Sequence, residues 1–300
     1  MERPQPRRTR AGSDAVAALL SGGALIATLL TIVGCWQPTQ RAVMAVPAAR
    51  NQSDNRKLRL APPFELISPR DSIVRLIADD VTCTGTLIAD DRVLTAHHCV
   101  VARDARGRAL PHNKAPGEIQ IELGGDYLPW GEVNVRAIVA PDCGYASGDG
   151  DLAILVLSRH LIGMPISAAR TEAPPTRDDD VFIFGFGRCA LTRDAIHRSV
   201  RDTGKIESVS AGQFEGKAAI CPGDSGGPVY SARGDLIGVV SASVMDGDEH
   251  TMGTSLFTRL DVWPQIFSAA HEISQGASPS ELPPYGDCRA PAAGAPAPKR

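Results

Sequence analysis

Apolar residues in this chain fall in short runs separated by Gly, Pro, Asp and Thr, and few runs are long enough for a helix. Residues 72–78, 82–88 and 92–95 are rich in Ile, Val, Leu and Thr and predict three strands. A turn-rich insertion over 104–117 follows. Next, Glu118-Ile119-Gln120-Ile121-Glu122-Leu123 alternates polar with apolar at period two, the mark of a half-buried strand. Residues 133–139 and 152–157 complete a first sheet unit over 61–170. The Pro-, Thr- and Asp-rich stretch 171–180 reads as an interdomain linker. Strands are predicted again over 181–187, 203–209, 227–230, 235–242 and 254–260. A helix over 262–273 closes this second unit, 171–274, with Val262, Ile266, Ala269, Ala270 and Ile273 on one face.

The ends follow a different pattern. An arginine-containing start precedes an apolar stretch from Ala15 to Val33, so residues 1–35 read as an export signal. Its end, Ile32-Val33-Gly34-Cys35, looks like a bacterial lipobox, in which the cysteine is lipidated and becomes the new N-terminus. An uncleaved membrane anchor and an ordinary cleaved signal remain the alternatives. Residues 36–60 have no apolar periodicity and read as a flexible tether, and the Pro- and Ala-rich 275–300 as a tail.

Charge excludes little but argues against one partner. The formal net charge is −3, and the first 34 residues carry four arginines against Glu2 and Asp14, leaving −5 for the remainder. No basic stripe suggests nucleic-acid binding. Seven cysteines suggest disulfides in an exported protein. Their number is odd, and lipidation of Cys35 accounts for the one left over.

The chemistry is concentrated in Cys221-Pro222-Gly223-Asp224-Ser225-Gly226-Gly227-Pro228-Val229. A serine is a poor nucleophile until a base takes its proton and donors hold the oxyanion. Glycines on both sides of Ser225 let the backbone turn sharply and bring N–H groups beside the hydroxyl. A base is offered by Leu94-Thr95-Ala96-His97-His98-Cys99, and an acid by Asp151 ahead of the apolar run Leu152-Ala153-Ile154-Leu155. Asp149 competes as the acid but lacks the apolar residues behind it.

With its order His, Asp, Ser, the chain resembles the trypsin/chymotrypsin family of serine endopeptidases from Ile67 to Ile273. The resemblance implies an all-β fold of two antiparallel β-barrels with a C-terminal helix, the catalytic groups at their junction. It makes Ser225 the nucleophile, His98 the base and Asp151 the residue that orients the base. His97 then reads as a passive neighbour where the family commonly has a small residue. The N–H groups of Gly223 and Ser225 would form the oxyanion hole, and Ser241 would support Asp151. Cys83 and Cys99 stand where the family has a disulfide. Cys143, Cys189, Cys221 and Cys288 allow three pairings, and the family fold favours Cys189–Cys221 with Cys143–Cys288.

By the same resemblance Ala219, Ile220, Ser243 and Ser255 line the substrate pocket, none of them charged. A small or medium uncharged substrate residue is therefore expected, unless Asp246, Asp248 or Glu249 supplies a charge. Asp224 pairs with a new N-terminal amine in activated family members. No suitable segment precedes Cys83, so either maturation uses a divergent site or another cation, such as an arginine, holds Asp224. The expectation is an exported, monomeric endopeptidase of the bacterial cell envelope, or a secreted one, without metal or cofactor. Its partners would be a protein or peptide substrate and a membrane reached through the N-terminal anchor. The alternative is a catalytically silent, protease-like binding module at the envelope.

Overall fold

Fifteen strands and one α-helix follow one another in the computed structural model, which describes residues 68–279 except 80, 126–127, 190–195 and 245–249. In the first half, β1 (Ile73–Ala78), β2 (Val81–Ala89) and β3 (Arg92–Thr95) are followed by the hairpin strands β4 (Val101–Arg103) and β5 (Ala109–Asn113). β6 (Ile119–Leu123), β7 (Gly131–Val139) and β8 (Ala153–Leu157) complete it. A closed antiparallel barrel forms in the order β1-β2-β3-β8-β7-β6. Closure removes the sheet edges that would otherwise expose unpaired N–H and C=O groups.

The second half holds β9 (Val181–Gly185), β10 (Ser199–Arg201), β11 (Thr203–Val209), β12 (Gln213–Ala218), β13 (Pro228–Ser231), β14 (Leu236–Ser243) and β15 (Gly253–Arg259). All seven pair antiparallel in the order β10-β9-β13-β14-β15-β12-β11. A bridge between Asp180 and Lys205, with the Ile206 N–H donating to the Asp179 carbonyl at 3.0 Å, curls the β11 edge back beside β9. The result is the expected two-barrel, chymotrypsin-like fold with one C-terminal helix, α1 (Pro264–Ser274). That helix starts two residues later than its apolar stripe, at Pro264, whose fixed φ and missing N–H suit a first helical position.

Strand alternation explains why α1 lies where it does. Every residue of β8 is buried, and successive side chains point to opposite faces. Ala153, Leu155 and Leu157 fill the first barrel, whereas Ile154 and Val156 face outward onto Ile266, Ala269, Ala270 and Ile273 of α1. Covering an outward Ile or Val is worth about 1.5–3 kcal/mol, so the helix is required by the pattern of β8.

Four strands, β4, β5, β10 and β12, differ from the sequence expectation. The turn-rich insertion contains β5, paired with β4. β12 carries one large apolar side chain, Phe214, and its alternation is completed by Gly216 and Ala218, which no hydropathy pattern would mark. Three-residue β10 is too short to show a period.

Candidate active site

The register of one strand pair brings the candidate base and acid together. β3 and β8 run antiparallel with Thr95 opposite Ala153. The chain leaving β3 enters the 3-10 turn His97–Cys99, while Asp151 lies two residues before β8, so both emerge at the same barrel end. His98 Nδ1 lies 2.8 Å from Asp151 Oδ2, and the His98 backbone N–H donates to Asp151 Oδ1 at 2.9 Å. Asp151 is fully buried. A carboxylate only accepts, so a proton sits on Nδ1, and the neutral form of the ring has its lone pair on Nε2. From β14 in the second barrel, Ser241 Oγ donates to Asp151 Oδ2 at 2.5 Å. Asp149, the competing acid, is exposed and packs against Gly212.

Ser225 lies on a turn pressed against that same end. A Cβ at Gly226 would come 2.1 Å from Thr95 Oγ1 and 2.7 Å from the Ala96 nitrogen, so only glycine lets the turn lie on the strand that leads into His98. The Thr84 N–H donates to the Ser225 carbonyl at 2.9 Å and Thr84 Oγ1 to the Gly223 carbonyl at 2.7 Å, tying the turn to β2. Cys99 Sγ lies 3.8 Å from His98 Nε2 and 3.7 Å from the Ser225 carbonyl oxygen, placing both residues around one sulfur. Gly223 has φ 107°, a left-handed conformation, and a Cβ there would sit 3.0 Å from the Gly187 Cα. Among the described residues, the N–H groups of Gly223 and Ser225 have no protein acceptor. The turn thus presents two free donors beside a hydroxyl.

Asp224 is held by an arginine. Arg201 Nε lies 2.8 Å from Asp224 Oδ2, and a guanidinium N–H donates to Oδ1 at 3.0 Å. The same carboxylate accepts the N–H groups of Gly187 at 2.8 Å and Cys221 at 2.9 Å. Burial pushes the Asp224 carboxyl above its ordinary value, against the pull of Arg201 and these N–H groups. Arg201 comes from β10, a strand the sequence pattern did not reveal, and no local signal marked it as the partner.

His97, expected as a passive neighbour of the base, makes two hydrogen bonds of its own. It is buried, with Nδ1 2.7 Å from the Cys143 carbonyl oxygen and Nε2 2.8 Å from Asn113 Oδ1. Of the expected disulfides, Cys83–Cys99 and Cys189–Cys221 are formed, closing separations of 16 and 32 residues. Such loops contribute about 3 to 4 kcal/mol through chain entropy. Cys143 is disulfide-bonded as well, while Cys288 and Cys35 lie outside the described residues.

The pocket candidates gather along β12, β14 and β15. Ser243 pairs with Ser255 across β14 and β15, their hydroxyls 2.8 Å apart, and Ser255 Oγ donates to the Ala218 carbonyl at 3.4 Å. Ala219 and Ile220, which follow Ala218 in the chain, are buried. Asp246, Asp248 and Glu249 lie outside the described residues. Among the described residues, two groups have the spacing of metal ligands. In one, Cys83 and Cys99 are joined in a disulfide and offer no thiolate to act beside His98; in the other, Asp91 and Asp90 pair with Arg92 and His160.

Two antiparallel barrels with a hydroxyl–carboxylate–imidazole network across them define the chymotrypsin-like class. The family model Trypsin matches residues 68–263, and the chain belongs to the trypsin family. An uncharacterized peptidase of Corynebacterium glutamicum is 25% identical over 236 residues, 71% of this chain and 77% of that one. The cercarial protease of Schistosoma mansoni is 29% identical over 62% of this chain and 80% of its own. Two solved structures share the fold. Neuropsin, a serine protease of mouse brain, has a TM-score of 0.50 at 19% identity, covering 69% of this chain and 97% of its own. An inactivated protease paralogue of the scabies mite has a TM-score of 0.53 at 18% identity, covering 70% and 95%. Disulfides persist in oxidising surroundings, and together with the family they point to a secreted or extracellular protein that meets peptide substrates.

Proposed function

We propose that this protein is a serine endopeptidase that cuts peptide bonds through an acyl-enzyme. Ser225 Oγ attacks the substrate carbonyl carbon while His98 Nε2 takes its proton. Asp151 holds the ring in the Nδ1–H tautomer and stabilises the imidazolium, and Ser241 fixes the carboxylate. The carbonyl oxygen becomes an oxyanion that accepts from the Gly223 and Ser225 N–H groups; losing one such donor costs about 3 kcal/mol of barrier. His98 then gives its proton to the leaving amine, and water, deprotonated by the same ring, releases the acyl group from Ser225. The observation that carries this reading is the Ser241–Asp151–His98 chain beside a serine turn with two unpaired N–H donors. Lipidation at Cys35 and retention at a bacterial cell envelope, as a monomer, complete the proposal.

A fluorophosphonate probe tests it directly against a silent binding module. The adduct is expected on Ser225, with peptide hydrolysis lost by several orders of magnitude in Ser225→Ala. An unlabelled Ser225, or turnover that survives the substitution, would overturn the reading.

A further inference from the structure

Beyond the three catalytic candidates, we propose that His97 is a positioning residue that fixes Asp151 against His98; its kinetic arm rests on the endopeptidase reading. The two adjacent histidines of one 3-10 turn grip the two ends of a single loop. His98 holds Asp151, and His97 holds the Cys143 carbonyl at 2.7 Å. Between those ends the loop is folded flat on itself. A Cβ at Gly144 would fall 2.2 Å from the Gly150 carbonyl carbon and 2.3 Å from the Asp151 nitrogen. The Cys143–Gly144 peptide is therefore the floor under the Gly150–Asp151 peptide. A ring closes: from His97 to the Cys143 carbonyl, through Gly144 to Asp151, from its carboxylate to His98, and back through one peptide bond.

The hydrogen-bond chemistry makes the grip definite. A carbonyl oxygen only accepts, so His97 Nδ1 carries a proton. With Asn113 Oδ1 facing it, Nε2 donates in the imidazolium; in the neutral ring it accepts from Nδ2 with the Asn113 amide turned over, and either way both nitrogens are engaged. Asn113 belongs to β5, whose hairpin returns to the turn through Val101 opposite Asn113 and the Lys114 N–H on the Val100 carbonyl at 2.9 Å. Arg103 of β4 donates to the His98 carbonyl at 3.1 Å. The hairpin, the histidine turn and the acid loop thus meet on one buried imidazole.

A buried histidine that merely fills space would affect stability and leave the chemistry alone; a positioning residue moves kcat. His97→Ala is expected to lower kcat about 10- to 100-fold with KM within about threefold, the loss that a misplacement near 1 Å produces. His97→Asn, whose amide N–H can reach the Cys143 carbonyl, should recover kcat to within a few-fold. A second readout does not need turnover. In protein labelled with ¹⁵N-histidine, the His98 Nδ1–H proton resonance, assigned by its loss in His98→Gln, should shift or broaden in His97→Ala and return in His97→Asn. If the wild type cleaves no peptide but this resonance behaves so, the endopeptidase reading falls and the positioning role stands. An unchanged kcat and resonance in folded His97→Ala, or in His97→Leu should the alanine variant not fold, overturns it. So does His97→Asn behaving no better than His97→Ala.

Discussion

Replacing Arg201 with Ala removes the charge that faces a fully buried carboxylate. Asp224 lies inside the turn that carries Ser225, and it also accepts the N–H groups of Gly187 and Cys221. Losing one partner of a buried pair costs about 3–5 kcal/mol, because the other charge is left uncompensated. For a chain of this size that corresponds to a drop in Tm of roughly 6–20 °C. Part of the same cost falls on the turn itself, so kcat/KM should fall about 10²-fold or more.

The pH dependence has a definite sign. Without Arg201, burial is opposed only by the Gly187 and Cys221 N–H groups, and the Asp224 carboxyl rises further above the unfolded value of 3.8. A group whose folded pKa is raised favours folding when protonated, and that stability is lost as pH rises through the folded value. The deficit of Arg201→Ala against wild type should therefore shrink from pH 7 towards pH 4. Urea unfolding at several pH values, with peptide hydrolysis at pH 7, measures both effects. If the guanidinium fills the role that a new N-terminal amine has in activated relatives, the chain with a blocked or extended N-terminus should be fully active. Full stability and turnover in Arg201→Ala, or activity that appears only after N-terminal cleavage, would refute the reasoning.

Other outcomes follow from single contacts. Ser241→Ala removes a donor to a buried carboxylate, an interaction worth about 1.5–3 kcal/mol, and should lower kcat about tenfold to a hundredfold in a peptide assay. A peptide library varied at the residue before the cut should favour Ala, Val or Leu over Arg and Lys, since Ala219, Ile220, Ser243 and Ser255 carry no charge. Preference for Arg that disappears on changing Asp246 or Asp248 would show that their loop supplies the charge. Cys35→Ser should release the protein from a detergent-extractable membrane fraction, and mass spectrometry finding Cys35 unmodified within the mature chain would exclude the lipid anchor.

Local patterns in the sequence were enough for the serine turn, for β8 as a fully apolar strand and for the stripe of α1, because each is specified by residues a few positions apart. The two glycines of the turn are needed for reasons local to it: a positive φ at Gly223 and no room for a Cβ at Gly226. Asp151 could be preferred to Asp149 from the apolar run behind it, since a strand with both faces buried must follow the acid. Strands β4, β5, β10 and β12 escaped notice because hydropathy reports a face only where large apolar side chains mark it, and Gly216 or a three-residue strand marks nothing. The partners of buried polar groups were likewise hidden. Arg201 reaches Asp224 from 23 residues away, and His97 reaches Asn113 and Cys143 across 16 and 46. Periodicity states that a side chain is buried; which donor or charge meets it there is decided by strand register and loop packing, and these exist only in the folded chain.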